Sequence, residues 1–194
     1  MVFIVLEGFS GTGKTSLAKM LERDGWLRIT ESAHSLPPDI PLADRADTYS
    51  DYALLGQVLT STPQIRRLRS RRRVVAEGYF LSDLAYFKIR QTLRLSNAFP
   101  SIYRLVSEIM KDQTLAPDLY ILLEADSGEI GRRQARKRAR DRNESTYFFE
   151  KYYEFIKEFH KALNQPNYTV VHSHSRTSQT YRQIRNILTL KELL

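Results

Sequence analysis

Gly8-Phe9-Ser10-Gly11-Thr12-Gly13-Lys14-Thr15 fits the pattern of Gly, four variable residues, Gly-Lys and then Ser or Thr at every specified position. It follows the apolar run Val2-Phe3-Ile4-Val5-Leu6, a buried-strand candidate, and precedes Ser16 to Leu21, where Leu17, Met20 and Leu21 recur at helical spacing. A strand, a glycine-rich turn and a helix in this order make a phosphate cradle. The glycines let successive N–H groups point at phosphate oxygens, and the helix adds its positive end. Gly8, Ser10, Gly11, Thr12, Gly13, Lys14, Thr15 and Ser16 are the expected nucleotide-binding residues. Lys14 is expected to reach the β and γ phosphates of ATP, and the Thr15 hydroxyl to be a ligand of Mg2+. A glycine turn with a chance lysine is the bland alternative; the extra glycine and the strand–helix context weigh against it.

Outward from this loop, short β-branched runs alternate with longer helical patterns, which predicts βαβ units, a parallel sheet and an α/β fold. Strands are expected at Trp26 to Thr30, Val74 to Ala76, Pro117 to Leu123 and Tyr168 to Val171. Helices are expected from Tyr52 to near Pro63, from Leu81 to Leu95, from Ile102 to Met110, from Thr146 to Leu163 and from Thr177 to Leu190. Residues 35 to 48, with three prolines and three aspartates, read as a loop. The 194 residues suffice for one such domain spanning 1–194, with a sizeable core and no second one.

Composition excludes several classes. Without cysteine there is neither a disulfide framework nor a thiolate metal site. His172 and His174 form no ligand constellation. Val2 to Leu6 is too short for a signal segment, and no stretch approaches membrane-spanning length, so a soluble, cytoplasmic protein is expected. The net charge of +8 suggests an anionic partner. Much of the excess lies in Arg66 to Arg73 and Arg132 to Arg142.

Phe3 to Lys19 resembles the opening of thymidylate kinases and their relatives the deoxynucleoside kinases. Val74-Val-Ala-Glu-Gly-Tyr-Phe-Leu-Ser-Asp-Leu-Ala-Tyr86 is similar to the third strand, acidic residue and following helix of thymidylate kinases, and Pro117 to Glu124 to their P-D-L strand. Arg132 to Arg142 ahead of Tyr147-Phe-Phe149 resembles their arginine-rich lid and the helix after it. The resemblance implies a three-layer P-loop fold with a five-stranded parallel sheet flanked by helices, a lid at about 136–146, and ATP-dependent phosphoryl transfer to a nucleoside monophosphate or nucleoside. Arg136, Arg138, Arg140 and Arg142 would close over the transferred phosphoryl group, with Arg136, Arg140 and Arg142 counted as catalytic beside Lys14. A solvated basic helix face is the rival reading of this cluster. Arg133 would lie near the donor base. Glu77, at the C-terminal end of a strand where open α/β sheets place ligands, would hold Mg2+ through water or orient the acceptor hydroxyl; a turn cap is the alternative.

Three positions depart from thymidylate kinases, all on the acceptor side: Ser10 replaces a carboxylate, Thr30-Glu31-Ser32 lacks the arginine and the Pro-Gly, and Gly78 stands where an arginine grips the acceptor phosphate. Either Arg45, Arg66, Arg67 and Arg69 replace those contacts, or the acceptor is a neutral nucleoside. Tyr49, Tyr52 and Gln57 are pocket candidates, with buried packing as the other explanation of the tyrosines. Two other functions fit less of the chain: a kinase for an unrelated small acceptor, and an ATP-switched protein associated with nucleic acid. The chain has no recognisable nucleic-acid module, which makes nucleic acid an unlikely partner. A homodimer is compatible with the sequence.

Overall fold

The computed structural model describes residues 1–31, 46–135, 146–165, 167–174 and 176–194. Five parallel strands form one sheet in the order β2-β3-β1-β4-β5. They are β1 (Phe3–Gly8), β2 (Leu27–Ile29), β3 (Val74–Glu77), β4 (Leu119–Glu124) and β5 (Tyr168–His172). The helices are α1 (Lys14–Arg23), α2 (Thr48–Arg69), α3 (Phe80–Thr92), α4 (Phe99–Ile109), α5 (Ser127–Ala135), α6 (Thr146–Ala162) and α7 (Thr177–Leu190).

Strand β1 is buried along its whole length, which its unbroken apolar run requires of a central parallel strand. Its side chains divide the core in two. Phe3 and Val5 face a cluster with Leu54 and Ile65 of α2, Leu84 and Phe87 of α3, Ile102 of α4 and Ile156 of α6. Ile4 and Leu6 face Leu17 and Leu21 of α1, Trp26, and Ile184 and Leu188 of α7. Full burial of each such side chain is worth about 1.5–3 kcal/mol, so the three layers lock the end of β1, where the glycine-rich loop begins.

The expected strands and helices occur, with one correction: α2 does not stop near Pro63 but continues to Arg69. Proline removes one N–H from the helix ladder. Around it, Thr60 donates to the Gln57 carbonyl (2.8 Å), and Ser61 and Thr62 donate to that of Val58 (2.7 and 3.2 Å). Beyond it, Ile65 is fully buried in the core and holds the last turns in place.

A fully buried ion pair joins α2 to α3. Arg90 Nε lies 2.6 Å from Asp51 Oδ1, both residues are wholly inaccessible, and the same guanidinium donates to the Asp47 carbonyl at 2.7 Å. Asp47 in turn caps α2, accepting from the Tyr49 and Ser50 N–H groups.

Candidate active site

The turn from β1 into α1 needs glycine for two separate reasons. A Cβ on Gly8 would come 2.7 Å from Thr12 Oγ1 and 2.8 Å from the Leu123 carbonyl, which nothing short of a backbone shift relieves. Gly13, the residue before α1, has φ +99°, a left-handed conformation that costs a Cβ-bearing residue energy. It provides no side-chain cap, and the first turn of α1 holds no carboxylate. The first N–H groups of α1 are thus left for an anion.

Lys14 is almost completely buried, with Nζ 2.6 Å from the Gly8 carbonyl and 3.7 Å from Glu31 Oε2. Thr15 Oγ1 donates to Glu77 Oε2 at 2.5 Å, and the other oxygen of Glu77 is paired with the Arg28 guanidinium. Glu77 is 1% exposed, so both of its oxygens are satisfied inside the protein. Thr12 is buried, and both its hydroxyl (2.9 Å) and its backbone N–H (3.2 Å) donate to the Phe9 carbonyl, which closes the loop on itself. Ser10 is partly exposed and Ser16 exposed. Arg133 NH1 donates to the Gly11 carbonyl and to Ser173 Oγ (both 3.1 Å), NH2 to the His174 carbonyl (2.8 Å), and Nε to Glu129 (2.8 Å). Ser173 completes the brace by donating to the Thr12 carbonyl at 2.6 Å. Arg133 therefore fastens the outer side of the loop to the chain after β5.

Behind Lys14 lies a set of carboxylates. Glu7, wholly buried, accepts from Ser82, and its Oε1 has no partner. Burial pushes its carboxyl up to about 7, against smaller lowering effects from Ser82 and Lys14. Asp83 is held well above the usual carboxylate range by burial and then by the charges of Glu7 and Glu31, with Lys14 pulling the other way. A raised carboxyl pKa stabilises the fold most below the ordinary value of 4.5, and that contribution is lost as pH rises through about 7. Melting temperature should therefore fall between pH 5 and pH 8, and Glu7→Gln should flatten the slope, removing a contribution of about 3 kcal/mol. An equally steep profile in the variant would assign the slope to other groups.

Among the described residues, no group of three or more His, Asp or Glu side chains is arranged to hold a metal ion. Magnesium suits what is there all the same, because it keeps several waters and takes one or two protein oxygens plus substrate phosphates. Thr15 Oγ1 would be such an oxygen, with Glu77 as the carboxylate behind it. Partners of this kind tune metal affinity by about 10–100-fold. Glu77→Gln should accordingly raise the Mg2+ concentration needed for half-maximal turnover by about tenfold, and lower the melting temperature because Arg28 loses its counter-charge; an unchanged Mg2+ requirement would detach Glu77 from the metal.

The sequence reading of Lys14, Thr15, Glu77 and Arg133 brings together groups that the fold gathers at one end of β1. Arg28, Glu31, Glu7, Asp83 and Ser173 were not foreseen. Glu31 had a signal, a carboxylate directly after a strand at the ligand end of a parallel sheet; Arg28 had none, since it meets Glu77 only when β2 pairs with β3. Arg66, Arg67 and Arg69 cannot replace acceptor contacts. They precede β3, whose start pairs with the start of β1, at the far end of the sheet from the loop. There Arg66 pairs with Asp112, and Arg69 with the Thr114 and Ala116 carbonyls. Tyr49 and Tyr52 are exposed on α2, which rules out buried packing for both. Ser32, Arg45, Arg136, Arg138, Arg140 and Arg142 lie outside the described residues.

No helix among the described residues is long and apolar enough to cross a membrane. Neither a protein-family model nor a curated protein sequence matches the chain. Solved structures do. A thymidylate kinase from Candida albicans, described as having broad substrate specificity, superposes with a TM-score of 0.76 at 18% identity, over 99% of this chain and 92% of that one. A deoxyadenosine kinase from M. mycoides, with dCMP and dCDP bound, gives 0.75 at 16% identity over 97% and 99%. The same enzyme with dATP gives 0.72 at 14% over 96% and 98%. At these identities the likeness is one of architecture, and the chain has the three-layer P-loop fold that those kinases share.

Proposed function

We propose that the protein transfers the terminal phosphoryl group of ATP to a nucleoside or a nucleoside monophosphate. The observation that carries this reading is the Gly8–Thr15 loop, which sets Lys14 and the Thr15 hydroxyl, the latter backed by Glu77, beside an uncapped helix N-terminus. Lys14 and the loop N–H groups would bind and orient the phosphates, and Arg133 with Ser173 would keep the loop in shape. Mg2+, when bound, supplies positive charge between phosphate oxygens. Arg136, Arg140 and Arg142 are proposed to add charge over the phosphoryl group, and Arg133 to border the donor base.

The acceptor side favours a nucleoside. Glu31 stands next to Lys14 and over Gly78, where a Cβ would lie 3.8 Å from its side chain, and Glu7 and Asp83 lie behind it. Among the described residues, the cations that contact the loop or the carboxylates beside it are Lys14, Arg28 and Arg133. Arg28 is taken by Glu77 and Arg133 by the loop. Among the described residues, a second phosphate group would face the Glu31 carboxylate with little to neutralise it, and like charges in contact are costly. A neutral hydroxyl meets no such penalty, and Glu31 is the carboxylate placed to accept its proton.

The decisive experiment is a transfer screen over nucleosides and their monophosphates with ATP and Mg2+, read as ADP formed. Deoxynucleosides should be turned over with kcat/KM at least tenfold above that of thymidylate, since each missing charge-assisted bond is worth about 1.5–3 kcal/mol. Thymidylate as the best acceptor would overturn the nucleoside assignment, and no ADP with any acceptor would overturn the kinase reading.

A further inference from the structure

The Gly8 carbonyl is buried and accepts two hydrogen bonds. One comes from Lys14 Nζ at 2.6 Å, the other from the phenol of Tyr152 at 3.2 Å, contributed by α6 from 144 positions further along the chain. The ring of Tyr152 packs edge-on against Phe9, the next residue of the loop, with centroids 5.4 Å apart, and Phe149 of α6 packs on the same ring at 5.4 Å. Helix α6 thus grips the first two residues of the phosphate loop by one polar contact and two aromatic ones. Burial pushes the Tyr152 phenol well above its ordinary range, so it remains a donor at any working pH.

A carbonyl oxygen has two lone pairs, and the two donors divide them. With Tyr152 on one, the other is left to Lys14. The Lys14 ammonium has three hydrogens, of which the Gly8 carbonyl takes one at 2.6 Å, while Glu31 lies on another side at 3.7 Å. We infer that Tyr152 is a positioning residue, setting through the Gly8 carbonyl where the Lys14 ammonium stands and so how well the loop grips a triphosphate. This rests on the proposed use of the loop for ATP.

Tyr120 supplies the control. Its buried phenol donates to Gln165 Oε1 at 3.2 Å, so Tyr120→Phe loses a bond of the same kind and length without touching the loop. Binding of ATP and of inorganic tripolyphosphate would be measured by calorimetry on the wild-type chain, Tyr152→Phe, Tyr120→Phe and Lys14→Ala, with melting curves on each. Tyr152→Phe is expected to weaken both ligands about five- to tenfold, Tyr120→Phe less than twofold, and both to lower the melting temperature by similar amounts. Equal binding by the two phenylalanine variants overturns the inference. So does a Tyr152→Phe protein that melts far below the Tyr120→Phe protein yet binds as tightly per folded molecule, because its role is then structural. Failure of the wild-type chain to bind either ligand, by contrast, sinks the underlying reading of the loop.

Discussion

Lys14→Ala is expected to reduce phosphoryl transfer on the order of 10³-fold, the upper scale for removing one charge-stabilising donor from a reacting centre, while the melting temperature moves little. The side chain is buried, and among the described residues its amine is paired with the Gly8 carbonyl and Glu31. After truncation the carbonyl keeps Tyr152 as a donor, and Glu31, about a third exposed, is still reached by water. Neither of these partners is orphaned. Glu7 and Asp83 lose a charge that lowers them both, which shifts them further toward the neutral acid without breaking a bond. Turnover and melting measured on one preparation test this directly. Near-normal turnover would mean that the loop does not handle the transferred phosphoryl group.

Glu31→Gln is expected to lower kcat about 10²-fold, the low end for a positioned general base, with ATP affinity changed no more than a few-fold. The geometry singles it out against its neighbours. Glu77 has one oxygen on Thr15 and the other on Arg28, and Glu7 sits behind the loop with no exposed surface. Glu31 is bordered by Lys14 and open on one side, so a hydroxyl can approach it. The amide retains size and polarity but cannot take a proton. A kcat within threefold of wild type, with the acceptor KM raised instead, would reduce Glu31 to a binding contact.

Much of the architecture was readable because its signals are local. The loop, its strand and its helix lie within the first 23 residues, and Glu77 declares itself at the end of a short apolar run. The site's finer wiring is not local. Arg28 reaches Glu77 across 49 positions, Ser173 reaches Thr12 across 161, and Tyr152 reaches Gly8 across 144. None of these pairs has a spacing rule, since each exists only after strands and helices have packed. Strand β2 is three residues long and half-buried throughout, too short to show a pattern, and the use of Arg28 and Glu31 was hidden with it. Pro63 misled for the opposite reason: a strong local signal was overridden by the burial of Ile65 two residues on. The two arginine clusters looked alike in composition. One belongs to the far end of the sheet, and the other includes Arg133, which is tied to the loop.

The buried Arg90–Asp51 pair carries a consequence for how this sequence can drift over generations. Losing either partner alone leaves a charge enclosed without its counterpart, at about 3–5 kcal/mol, a large share of the roughly 5–15 kcal/mol that holds a typical domain together. Replacing both with apolar side chains of matching volume is close to neutral. The two positions are therefore one heritable unit. A lineage can keep the pair or exchange it whole, but it reaches the exchanged form one substitution at a time only from a background that has already gained stability elsewhere.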